Sequence, residues 1–146
     1  MKVKELLSQK NRPVETIKAS SIIKEAMKSL IDKKISCLPI VNDFDELVGI
    51  ISDKDIFKAV YENVDSIESS QVGSIMSTNL IVGLESDELN YIAGLMTNNK
   101  IRHIPIVDKK KIIGLVSIGD IVKNQMTDME IENRYLQIYI NGGYPG

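Results

Sequence analysis

Two four-residue patterns carry groups suited to chemistry: Ser52-Asp53-Lys54-Asp55 and Ser117-Ile118-Gly119-Asp120. At the head of an amphipathic stretch, serine with an acid three residues on can form a capping box. The hydroxyl accepts from an orphan amide of the first turn, and the carboxylate reaches back to the serine N–H. The same place also favours anionic groups, because a helix N-terminus is partially positive and presents free N–H groups. Capping and ligand binding are compatible, and both stay open at this point. Gly49 and Gly114, three residues before the serines, mark either bulges or a close approach by a ligand. His103 is the one histidine and Cys37 the one cysteine. Beside an apolar strand His103 reads as a structural group, and Cys37 as an inert, partly buried thiol. No second soft ligand sits at metal spacing, and no base–nucleophile pair is visible, so catalysis is disfavoured.

The elements that must position these groups occur twice. Ile35-Ser36-Cys37-Leu38-Pro39-Ile40-Val41 aligns with Ile101-Arg102-His103-Ile104-Pro105-Ile106-Val107, and Leu47 to Ile56 aligns with Ile112 to Ile121. Upstream, Ile23, Ala26, Met27 and Leu30 match Leu89, Ile92, Ala93 and Met96, each set spaced as one helix face. Residues 14–17 and 80–82 are β-prone, and Ser20 or Ser21 and Ser86 are expected N-caps. The central strands, 37–41 with 47–51 and 104–107 with 112–116, are continuous apolar runs suited to burial on both faces. Ile56, Phe57, Val60 and Tyr61 are expected as one buried stripe of a last helix, and Ile121, Val122 and Met126 as the other. Each copy reads β-α-β-β-α, a mixed α/β unit, with short helical leaders at 3–7 and 72–76. One unit alone buries too little, so two copies are expected to pack together about a pseudo-twofold axis. The expected divisions are 1–64 with its leader, a linker at 65–71 within the acidic, serine-rich 62–71 stretch, 72–126, and a C-terminal helical extension at 127–146.

Composition bounds the function. With 146 residues, 43% hydrophobic and 26% charged, the chain has the profile of a globular protein that needs neither disulfide nor metal. Eighteen basic residues against 20 acidic ones give a net charge of −2, no footprint for nucleic acid or an anionic membrane. No apolar run approaches the ~18 residues of a membrane span, and the start does not read as a secretory signal, so a cytoplasmic location is expected. Lys109-Lys110-Lys111 reads as a solvated turn, and Met27, Met76, Met96, Met126 and Met129 as core filler.

The duplicated apolar-Pro-Ile-Val strand, short loop, Gly-x-x-Ser-x-x-Asp and helix resemble a tandem pair of CBS (cystathionine β-synthase) domains over roughly residues 1–126. The resemblance implies one module with two clefts between the repeats, commonly holding AMP, ADP, ATP, NAD or S-adenosylmethionine, and association as disc-like homodimers. It implies that each Ser-x-x-Asp acid binds ribose hydroxyls and its serine bonds phosphate. A carboxylate suits a vicinal diol because its two oxygens accept from both hydroxyls.

Carried over, the first cleft combines Ser52 and Asp55 with Asn79, Leu80, Ile81, Arg102 and His103. The second combines Ser117 and Asp120 with Pro13, Val14, Glu15, Ser36 and Cys37. Arg102 and His103 give only the first cleft cationic or protonatable groups, so that cleft is expected to favour a phosphorylated adenosine. The expected function is a stand-alone regulatory module rather than an enzyme. It requires no cofactor and takes an adenosyl effector that alters dimer shape or a regulated protein; the alternative is a scaffold with empty clefts. In the extension, Val122, Met126, Met129, Asn133, Leu136 and Ile140 alternate in spacing like an a/d seam, with Glu130 and Arg134 as an i, i+4 pair. Gly142, Gly143 and Pro145 stop the helix. That extension either packs back on its own module or contacts a partner.

Overall fold

The computed structural model describes residues 1–62, 65–125, 133, 136–138 and 140. In chain order the elements are α1 (Val3–Lys10), β1 (Ile17–Lys18), α2 (Ile23–Lys33), β2 (Cys37–Val41), β3 (Leu47–Ser52) and α3 (Asp53–Glu62), then α4 (Leu89–Asn99), β4 (His103–Asp108), β5 (Lys111–Ser117) and α5 (Ile118–Gln125). Two 3-10 turns, Ile67–Ser69 and Val72–Ser74, lie between α3 and α4. The expected mixed α/β architecture of two tandem repeats is the one observed, complete as β-α-β-β-α in the first and with the opening strand reduced in the second.

In the first repeat β1 runs parallel to β2, and β2 pairs antiparallel with β3. In the second, β4 and β5 form the antiparallel pair. The first strand of that repeat is shorter than expected, reduced to a parallel bridge between Gly83 and Ile106. Residues 80–82 form no strand, and β1 begins only at Ile17, so Val14 lies outside it. A bulge adjoins each glycine of the repeated motif, since the register shifts between Ile40 and Val41 opposite Gly49, and between Ile106 and Val107 opposite Gly114. Each glycine is also the seat of a packed side chain. A Cβ on Gly114 would lie 2.6 Å from Leu7 Cδ2, and one on Gly49 would strike Met76. Side chains of the protein itself, Leu7 and Met76, therefore approach these glycines.

The leaders cross over. Val3 and Leu6 of α1 are buried with Leu89, Ile92, Met96, Ile104, Ile106, Val116 and Ile121, all of the second repeat. Val72, of the second leader, is buried with Ile23, Ala26, Leu30, Leu38, Ile40, Ile51 and Ile56 of the first. Covering each such aliphatic side chain contributes about 1.5–3 kcal/mol, so the exchange binds the repeats to one another.

The exchange also corrects the expected caps. The N-caps are Ile22 and Glu88, neither with a side-chain cap bond. Instead the Ile23 N–H donates to the Ser70 carbonyl at 2.8 Å, and the Leu89 N–H to the Met1 carbonyl at 3.0 Å. Backbone preceding the opposite leader does the work assigned to Ser20, Ser21 and Ser86. The helix stripes need correction too. Ile56 and Ile121 are buried, but Phe57 (76%), Val60, Tyr61 (83%) and Val122 are exposed. Asn133, Leu136 and Ile140 are exposed. Met126, Met129, the Glu130–Arg134 pair, Gly142, Gly143 and Pro145 fall outside the described residues.

Candidate functional site

Each Ser-x-x-Asp lies where a strand passes directly into a helix: Ser52 ends β3 and Ser117 ends β5. With no loop between, the first helical turn needs a local acceptor, and the capping box supplies one in both copies. The Asp55 N–H donates to Ser52 Oγ at 3.1 Å, and the Ser52 N–H to Asp55 Oδ2 at 2.9 Å. The Asp120 N–H donates to Ser117 Oγ at 3.0 Å, and the Ser117 N–H to Asp120 Oδ2 at 2.8 Å. The boxes lock both carboxylates in orientation, while the other carboxylate oxygen of each accepts no hydrogen bond among the described residues.

Around Asp120 a cavity of about 850 Å³ opens between the repeats. It brings together every residue assigned to the second cleft: Ser117, Asp120, Pro13, Val14, Glu15, Ser36 and Cys37. Its size falls in the roughly 300–1,000 Å³ range of small-molecule sites. Leu7, Ile113 and Leu115 contribute apolar wall. Of the first-cleft set, Ser52, Asp55, Asn79, Leu80, Ile81 and Arg102 line neither this cavity nor a smaller one of about 90 Å³ beside α4 and α5. Ile81 packs on the second-repeat core, while Asn79 and Arg102 are exposed.

Two site expectations are corrected. His103, assigned to the first cleft, lines the large cavity, and its Nε2 lies 3.3 Å from Ser36 Oγ. It opens β4 as Cys37 opens β2, and both positions face the same space between the repeats. The expectation that only the first cleft carries cationic groups does not hold, because Lys10, Arg12, Lys33 and Lys34 all line this second cleft. Their signal was present in the sequence. Lys10 and Arg12 immediately precede Pro13-Val14-Glu15, and Lys33-Lys34 precede Ile35-Ser36-Cys37, so whatever seats one group brings its neighbours.

The cations are not equivalent. Lys10 Nζ donates to Asp120 Oδ2 and to the Leu115 carbonyl, both at 2.8 Å. Lys33 pairs with Glu15 at 2.6 Å. Among the described residues, Arg12 and Lys34 form no ion pair. Burial by itself would raise the Asp120 carboxyl pKa, but the Lys10 and Ser117 hydrogen bonds outweigh it and the net shift is downward. Burial, with the Arg102 charge, lowers the His103 pKa, so the imidazole is neutral near pH 7. Burial, reinforced by Asp53, pushes the Cys37 thiol up to about 12, leaving it protonated and unreactive at neutral pH. Among the described residues, no group of three or more metal-binding side chains occurs, and no helix is long and apolar enough to cross a membrane.

The family model described as CBS domain matches residues 3–62 and 72–127. The mitochondrial CBS domain-containing protein CBSX3 of Arabidopsis thaliana is 35% identical over 124 residues, covering 82% of this chain and 60% of its own. The chain thus spans less than two thirds of that relative's length. Among solved structures, the CBS domain pair of MJ0100 in complex with 5′-methylthioadenosine and S-adenosyl-L-methionine superimposes with a TM-score of 0.76 at 32% identity, over 86% of this chain and 100% of that one. CBSX2 in complex with AMP superimposes with a TM-score of 0.71 at 27% identity, over 85% and 95%.

Proposed function

Because the chain belongs to the CBS-domain family, we propose that it is a regulatory, non-catalytic module that seats an adenosyl compound in the cavity between its repeats. Asp120 takes the ribose hydroxyls, Ser117 and the N-terminus of α5 lie beside them, and Pro13, Val14 and Glu15 border the base. The observation that carries this reading is the convergence of α1, the 13–15 segment, β2, β4 and the β5–α5 junction on one large cavity. The adenosyl ligands of the MJ0100 and CBSX2 structures support the ligand class. Asp55 lines neither of the two cavities described, so the reading places the ligand at Asp120. A ligand touching both repeats biases their arrangement by its differential affinity for the alternatives.

A panel of AMP, ADP, ATP, NAD and S-adenosylmethionine tests this by thermal unfolding. A ligand at about 100 times its dissociation constant adds ~2.7 kcal/mol. That corresponds to a rise of roughly 5–10 °C for a domain of this size. Absence of a shift with every member would leave the scaffold reading.

The partner we propose is a second copy of the chain, seated on α3 and α5. Phe57, Val60 and Tyr61 on α3, and Ile118 and Val122 on α5, leave apolar side chains exposed at i, i+3 and i+4 spacing. Light scattering of a Phe57→Glu/Tyr61→Glu double variant is expected to give half the mass of the parent; an unchanged mass removes this interface. A cytoplasmic site of action fits an adenosyl effector.

A further inference from the structure

We infer that Lys10 is the specificity-determining residue of the cavity, selecting a phosphorylated adenosine over an uncharged or cationic adenosyl compound. This rests on the adenosyl reading above and concerns how the site distinguishes among members of that class.

Asp120, the Ser-x-x-Asp acid of this cavity, is neutralised from within by Lys10. Both side chains are largely covered, at 29% and 20% exposure, so their charges are only partly screened. The Lys10 ammonium shares Oδ2 with the Ser117 N–H, leaving Oδ1 as the open acceptor. A sugar diol brings hydrogen-bond donors to Asp120 but no charge, and crowds the ammonium that is there. A phosphate on the same ligand gives Lys10 a new anionic partner, with Arg12 and Lys34 lining the same cavity and Glu15 already occupied by Lys33. Phosphate binding therefore releases Asp120 for the ribose. Adenosine supplies no anion, and S-adenosylmethionine offers a carboxylate only together with a sulfonium and an ammonium, so it brings a net positive charge to a wall whose four cationic side chains outnumber Glu15 and Asp120. Lys10 is the last residue of α1, whose Leu7 packs on Gly114, so the helix core holds the ammonium at the site.

Calorimetric titration of adenosine, AMP and S-adenosylmethionine into the parent chain and Lys10→Met tests this. Methionine keeps the apolar stem without the charge, and Lys10→Gln serves as a second variant if Lys10→Met fails to fold. The parent is expected to bind AMP on the order of tenfold or more tighter than adenosine, with S-adenosylmethionine weakest. Removing the ammonium is expected to lower the AMP-to-adenosine ratio several-fold, with Arg12 and Lys34 keeping a residual phosphate preference, while adenosine binds as well as before or better because Asp120 is freed. An unchanged ratio in the variant, equal losses for AMP and adenosine, or a parent that prefers S-adenosylmethionine would each overturn the role of Lys10 and leave the adenosyl reading intact. Failure of all three compounds to bind the parent would overturn both.

Discussion

Asp120→Ala is expected to weaken adenosine binding by about 10- to 150-fold, while Asp55→Ala leaves it nearly unchanged. The first figure follows from losing hydrogen bonds to a charged acceptor, worth about 1.5–3 kcal/mol. The pair of variants is its own control. Each removes the acid of a capping box with nearly the same geometry, so each gives up a similar box, and Asp120→Ala alone also removes the Lys10 ion pair. Only Asp120 lines the large cavity. Adenosine is the better probe than AMP, because Asp120→Ala also frees Lys10, and the freed ammonium partly compensates any ligand that carries phosphate. Equal losses from both variants in a competition titration would show that the two clefts share the ligand evenly.

The Asp120 ion pair has a pH signature as well. Its carboxyl pKa is lower in the folded chain than in the unfolded one, so its stabilisation is present above the usual carboxylate range. It is lost as pH falls through the lower folded value. The Cys37 thiol acts in the opposite direction. Its folded value, about 12, lies above that of an ordinary thiol. Its contribution holds below the ordinary thiol range and disappears as pH rises from there toward 12.

The repeats were legible because β2, β3, β4 and β5 are continuous apolar runs with proline and glycine at matched places. Local chemistry sufficed there, and the capping boxes were equally local. What escaped was everything decided across the molecule. Ser20, Ser21 and Ser86 have the right chemistry for N-caps, but Ser70 and Met1 carbonyls reach the first amides of α2 and α4. Periodicity identified an apolar face on α3 without saying what covers it; the core takes Ile56 and leaves Phe57 and Tyr61 outside. The cations of the second cleft adjoin its assigned residues in sequence, but the pairing of one of them with Asp120 is decided across the molecule. Lys10 lies beyond the leader expected at 3–7, and only the longer α1, packed on the second repeat, brings it to Asp120.

That exchange of leaders yields the largest stability effect we expect. Leu6 is 5% exposed, buried among residues that follow it by eighty positions or more in the chain. Leu6→Ala should cost about 2–5 kcal/mol, the range for emptying a buried leucine site. In a domain of this size that lowers the melting temperature by roughly 4–20 °C. The diagnostic feature is where the damage falls. If α1 belonged to the repeat that follows it in sequence, amide protection would fall first in α2, β2 and β3. Because Leu6 sits against Leu89, Ile92 and Ile104, hydrogen exchange should accelerate first in α4, β4 and β5, with the Ile23–Leu38–Ile51 cluster affected later. The reverse order would dismantle the crossed arrangement, and with it the route by which Lys10 reaches the cavity. The same contacts tie binding to the fold, since the helix that completes the second core also carries the ammonium that holds Asp120, so a ligand that moves Lys10 pulls on the leader joining the two halves.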